Sequence, residues 1–136
     1  MLQKLSAENN AINWFEIPVT DTDRAKKFYE TILDIKMQTQ KIEENGDEMV
    51  LFPRTPDTIM ALSGKVSGTL LKSEKSKPSK IGGLIYLNAS PTIQTVIEKI
   101  AAAGGKVIQP KTKIPAGYIS IFIDTEGNKV GLHAGA

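Results

Sequence analysis

The chain repeats itself. Laid over residues 125–134, TEGNKVGLHA, the segment 55–64, TPDTIMALSG, puts Thr55 on Thr125, Met60 on Val130 and Leu62 on Leu132, a spacing of 70. Two more segments keep that spacing. Trp14, Phe15, Glu16 and Ile17 fall on Leu84, Ile85, Tyr86 and Leu87, and Leu51 and Phe52 fall on Ile121 and Phe122. A repeat fixes the architecture before any single element is assigned, because both halves must fold by one plan.

Each half carries the same order of local signals. Thr22 or Asp21 can cap a helix whose apolar residues Ala25, Phe28, Tyr29, Ile32 and Leu33 follow helical spacing. In the second half Ser90 at the cap and Pro91 at the first helical position precede Ile93, Val96, Ile97, Ile100 and Ala101, and Gly104-Gly105 closes the helix. Alternation predicts strands and their faces. Phe15, Ile17 and Val19, then Ile85, Leu87 and Ala89, then Ile119, Ile121 and Ile123 are the rows expected beneath the helices. The opposite rows are mixed: Trp14 and Glu16; Leu84, Tyr86 and Asn88; Glu48, Val50, Phe52 and Arg54; Tyr118, Ser120 and Phe122; Gly131 and His133. The expected fold is therefore α+β, two tandem βαβββ modules in one domain. Module one covers about 10–63, an exposed linker rich in Gly, Ser, Lys and Pro covers 64–80, and module two covers 81–134.

Composition removes several kinds of chemistry. With 136 residues and no cysteine, the chain has one domain-sized core and no disulfide, thiolate metal site or Cys nucleophile. No apolar run approaches the roughly 20 residues of a membrane helix, and residues 1–10 lack the apolar centre of a secretory signal. A cytoplasmic protein without membrane contact is expected. The net charge is +2, and Lys65, Lys72, Lys75, Lys77 and Lys80 cluster in the linker, which leaves the rest slightly acidic and argues against a nucleic-acid surface. Gly104-Gly105-Lys106 ends a helix where a phosphate loop would begin one, so it is a cap.

The doubled unit resembles the vicinal oxygen chelate superfamily of glyoxalases, bleomycin-binding proteins and extradiol dioxygenases. The likeness runs through INWFEIPVTDTDRAKKFYETIL at 12–33, GGLIYLN at 82–88, AAAGGKVIQPKTKIP at 101–115 and DTEGNKVGLHA at 124–134. It implies half-barrels with helices outside and a ligand cavity between them, commonly at a dimer interface. It also implies four places on first and last strands where metal-dependent members carry His, Glu or Gln. Carried onto this chain those places are Trp14, Ala61, Leu84 and Gly131, none of which can ligate a metal. Slipping the alignment by one residue brings in only Phe15, Leu62, Ile85 and Leu132. No metal and no cofactor is therefore expected, and a metal-dependent glyoxalase or dioxygenase is the least favoured reading.

The candidate ligand-binding residues are Trp14, Phe52, Arg54, Tyr86, Tyr118 and Phe122, with Trp14 filling or capping the place of a metal and Arg54 available to an anionic group. Glu16, a carboxylate on an otherwise apolar strand, and His133, the single histidine, are the candidate acid and base. Their plainer roles are a salt bridge to Lys or Arg54 and a partly exposed residue near the C-terminus. The leading expectation is a metal-free homodimer that binds a hydrophobic or aromatic small molecule. The alternatives are a metal-independent lyase or isomerase run by Glu16 and His133, and an interaction module whose cavity is filled by its own aromatics.

Overall fold

The computed structural model describes residues 4–55 and 64–136. Strand β1 (Trp14–Pro18) leads to helix α1 (Thr22–Leu33), then β2 (Gln38–Lys41), β3 (Glu48–Leu51) and β4 (Ser67–Lys72). The second half runs β5 (Tyr86–Asn88), α2 (Ile93–Ala103), β6 (Lys106–Ile114), β7 (Gly117–Ile123) and β8 (Lys129–Ala134). The two four-stranded sheets have matching orders, β1-β4-β3-β2 and β5-β8-β7-β6, with the first and last strand of each module parallel and the rest antiparallel. This is the α+β architecture of two βαβββ modules that the repeat predicts.

The helices form where their caps and apolar faces dictate. The Asp21 side chain accepts the Arg24 N–H and caps α1, and Asp34 ends the helix in the left-handed region at φ 53°. Ala25, Phe28, Tyr29 and Ile32 make its buried face; Ile93, Val96 and Ile100 make that of α2. The cap of α2 is Thr92, not Ser90 as the sequence suggests; Ser90 instead donates its N–H to the Asn88 side chain in the turn before it. Gly104, at φ 107°, closes α2 as expected.

One core joins the modules. The Tyr29 ring lies 5.8 Å from Phe52 of the first module and 6.3 Å from Phe122 of the second, and Phe28 stands 4.9 Å from Tyr29 and 5.8 Å from Phe122. A polar clamp reinforces this contact. Tyr29 donates its hydroxyl to Asp124 at 2.7 Å, and Asn128 Nδ2 bonds both Asp124 and the Pro18 carbonyl. The Glu126 carboxylate takes two bonds from the Arg24 guanidinium, at 2.7 and 2.9 Å, plus the N–H groups of Thr20 and Asp21 and the hydroxyls of Thr20 and Thr125. The turn before β8 thus fastens module two to the start of α1.

Two expectations are corrected. One of the two inner strands of the first sheet is Ser67–Lys72, inside the segment read as a linker. Ser67, Gly68 and Thr69 look like loop residues but are buried, and a Cβ on Gly68 would stand 2.3 Å from the Phe15 carbonyl oxygen and 2.6 Å from its ring. A small residue is needed there because the Phe15 side chain lies over the strand. The repeat segment assigned to the last strand of module one, with Ala61, lies mostly outside the described residues. The faces of β3 and β7 are also reversed. Val50, Phe52, Ser120 and Phe122 are buried on the helix side, and Ile119, Ile121 and Ile123 occupy the open face half-buried. Both rows of β7 are apolar, so apolarity alone could not choose between them. Register decides: Ser120 pairs with buried Leu132, Ile119 with His133 and Ile121 with Gly131.

Candidate functional site

The open face of the second sheet is a groove of about 500 Å³ lined by Tyr86, Leu87, Asn88, Ile114, Ala116, Ile119 and His133. Register builds it. Tyr86 pairs with Gly131 and Asn88 with His133 across the parallel β5–β8 ladder, and His133 pairs with Ile119 on β7, so these side chains share one face. Tyr86 is 46% exposed. Its ring lies against Gly131, where a Cβ would come within 2.5 Å of Cδ1.

The groove has two hydrogen-bonding side chains on apolar walls. His133 Nε2 lies 2.9 Å from the Ala116 carbonyl oxygen, which can only accept, so Nε2 carries the proton and Nδ1 of the neutral ring is an acceptor. Asn88 Oδ1 accepts the Ser90 N–H, which fixes the amide and leaves its NH₂ group as donor. An acceptor and a donor therefore stand side by side on neighbouring strands of one wall, since Asn88 and His133 are direct cross-strand partners.

The equivalent face of the first sheet is differently made. Trp14 and Glu16 share it, and the indole Nε1 donates to Glu16 Oε2 at 3.4 Å. Glu16 is exposed and lines a cleft of about 250 Å³ with Ile17, Ser79, Ile85 and Lys129, separate from the groove that holds His133. The structure does not bring the expected acid and base to one cavity. Tyr118 lies on the helix side of β7, half-buried, with Lys111 Nζ 4.4 Å from its ring centroid. Phe52 and Phe122 belong to the core, and Arg54 is exposed beyond β3. Of the candidate residues, Tyr86 and His133 meet in the groove. Leu87, Asn88, Ile114, Ala116 and Ile119 complete the lining without being candidates from the sequence; Asn88 lies on the row that alternation marks as open, and Ile119 lies on the face of β7 that alternation assigns to the helices.

The donor set of the described residues does not fit a metal. Among the described residues no three His, Cys, Asp or Glu side chains converge. Thr69 stands opposite Glu16 in the register that sets Gly131 opposite Tyr86, and its hydroxyl is turned onto the carbonyls of Val50 and Leu70. Ser67, opposite Trp14, likewise bonds the carbonyls of Phe52 and Pro53.

The strongest electrostatics lie elsewhere, in the clamp. Burial opposes ionisation of the Glu126 carboxyl, but the Arg24 guanidinium and the N–H and hydroxyl donors around it outweigh that and hold its pKa down at about 2. The Arg24 pKa is raised by the same bond. Burial, with the charge of Asp124 and the bond to it, pushes the Tyr29 phenol well above its ordinary range.

Comparison with known proteins places this geometry. The profile of the Glyoxalase/Bleomycin resistance protein/Dioxygenase superfamily matches residues 11–132, and the chain belongs to that superfamily. No curated protein matches it in sequence. Among solved structures it is similar to a trypanothione-dependent glyoxalase I of Leishmania major, at 16% identity and TM-score 0.66, covering 93% of this chain and 87% of that one. It is similar also to TnmS3, an antibiotic-binding protein from Streptomyces sp. CB03234, at 17% identity and TM-score 0.64, covering 99% and 100%. A glyoxalase I variant of Zea mays aligns at 17% identity and TM-score 0.65; the alignment takes in 90% of this chain but 45% of the maize one. At these identities the likeness is one of fold.

Proposed function

We propose that the chain is a metal-free small-molecule-binding protein of the glyoxalase/bleomycin-resistance type, which takes a hydrophobic or aromatic ligand into the groove of the second sheet, close to a homodimer interface. The observation that carries this reading is the groove itself: about 500 Å³ of apolar wall around the Asn88 donor and the His133 acceptor, a size and composition typical of small-molecule pockets. The half-exposed Tyr86 ring supplies flat surface for an aromatic group. An antibiotic-binding protein of the same fold, aligned over its whole length, supports sequestration as the task. The dimer follows from the open faces of the sheets, which one small chain leaves uncovered.

Titration calorimetry of the chelator-treated protein against a panel of aromatic, peptide-like and thiol-conjugate compounds tests the reading. Saturable binding of one class, with the compound recovered unchanged and affinity lost in His133→Ala, is the expected result. Recovery of a product would make the protein an enzyme. Sedimentation at micromolar concentration should give a dimer; a monomer would remove the interface from the proposal.

A further inference from the structure

A third cavity, of about 760 Å³, adjoins the groove and takes its lining from both modules. Its walls are mostly apolar, with Ile12, Phe15, Leu33, Ile35, Phe52 and Ile85 among them, and polar side chains of Asn10, Ser67 and Ser90 stand beside these. Tyr86, Leu87 and Asn88 line both this cleft and the groove. Strand β5 is the edge of its sheet, and its residues line both spaces, so groove and cleft adjoin at that edge. The ladder to β8 uses the Ile85 carbonyl and the Ala89 N–H, and in a parallel ladder the alternate residues direct their backbone groups the other way. Tyr86 and Asn88 therefore turn their N–H and C=O groups toward the cleft side of the strand.

The two spaces differ in chemistry. The groove offers a flat ring, a donor and an acceptor; the cleft offers a mainly apolar wall that reaches Phe52 of the core. A compact ligand fills one space and leaves the other. We infer that the physiological ligand is an elongated amphiphile, with a planar hydrogen-bonding head in the groove at Tyr86, Asn88 and His133 and an apolar tail bent around the β5 edge into the intermodule cleft. This deepens the proposed binding function and rests on it.

A homologous series separates the two claims. Alkyl 4-hydroxybenzoates from methyl to heptyl share one planar head and differ only in tail length, and each is titrated calorimetrically into the full chain. Burial of one methylene tightens binding about threefold to fourfold, so affinity should climb steadily along the series and level off once the cleft is filled. Ile12 is 56% exposed at the rim of the cleft, where a carboxylate is tolerated by the fold. Ile12→Glu should flatten the climb while the methyl ester binds as in the parent. Equal affinity for all esters in the parent protein would overturn the tail and leave the head site standing. A climb that persists in Ile12→Glu would put the tail elsewhere and overturn the cleft as its site. Failure of every ester, methyl included, would overturn the head and the tail together.

Discussion

A methyl group added at Gly131 would lie 2.5 Å from Cδ1 and 2.8 Å from Cε1 of Tyr86, so the ring that walls the groove is set by the absence of a side chain beneath it. Gly131→Ala must displace that ring. We expect the variant to fold, at a cost of about 1–3 kcal/mol, and to lose at least about tenfold in ligand affinity; melting and titration of the same sample read both effects. Retained affinity would show that Tyr86 does not shape the site. Glu126 gives a second residue-scale prediction. Its folded pKa of about 2 lies below the ordinary 4.5, so it stabilises the fold fully above pH 4.5 and loses that contribution as pH falls from 4.5 toward 2. Acid unfolding of the parent should steepen in that window. Glu126→Gln should abolish the steepening and lower stability at pH 7 by about 2 kcal/mol, the scale of a lost charge-assisted bond to a buried group.

Among the elements, the strands at the two module starts carry the clearest consequence of close packing. Phe15 lies over Gly68 as Tyr86 lies over Gly131, but the Gly68 Cβ would also meet the Phe15 carbonyl oxygen at 2.3 Å, and backbone cannot turn aside as a ring can. Gly68→Ala should therefore separate β1 from β4 and cost about 3 kcal/mol or more, seen as a large drop in melting temperature with loss of far-ultraviolet strand signal. The helices were legible in the sequence because capping and helical spacing are local: Asp21 and the row Ala25, Phe28, Tyr29, Ile32 need no partner to be recognised. The same holds for β1 and β5, whose two rows differ in polarity. Strand β4 was hidden for two reasons. Ser67, Gly68 and Thr69 have the composition of a loop, and the repeat changes its spacing: Ile17 pairs with Leu70 where Leu87 pairs with Leu132, which are 70 apart at the first strand and 62 at the last. The faces of β7 were hidden because three isoleucines sit on the open side, so the more apolar row is the one that borders the groove. That single reversal cost the candidate site Ile119 and lent it Tyr118 and Phe122.

At the scale of the whole molecule, the modules share one core and one clamp. Tyr29 of the first helix touches both sheets and bonds Asp124 of the second module, and Glu126 holds the start of α1. Neither half keeps its apolar face covered without the other. A single cooperative unfolding transition is expected, coincident by near- and far-ultraviolet dichroism; two transitions would mean that each module has a core of its own. Among the described residues no helix is long and apolar enough to cross a membrane.

The most direct measurement on the central claim, a metal-free pocket for an organic ligand, is thermal unfolding of chelator-treated protein in the presence of nickel, zinc, iron or manganese and, separately, of the aromatic and amphiphilic compounds above. A ligand that binds only the native state stabilises it by about 2.7 kcal/mol at a hundredfold excess over Kd, an upward shift of several degrees for a chain of this size. The expected result is a shift with one organic class and none with any metal. A shift with a divalent metal alone would contradict the claim and return the protein to the metal-dependent members of its superfamily.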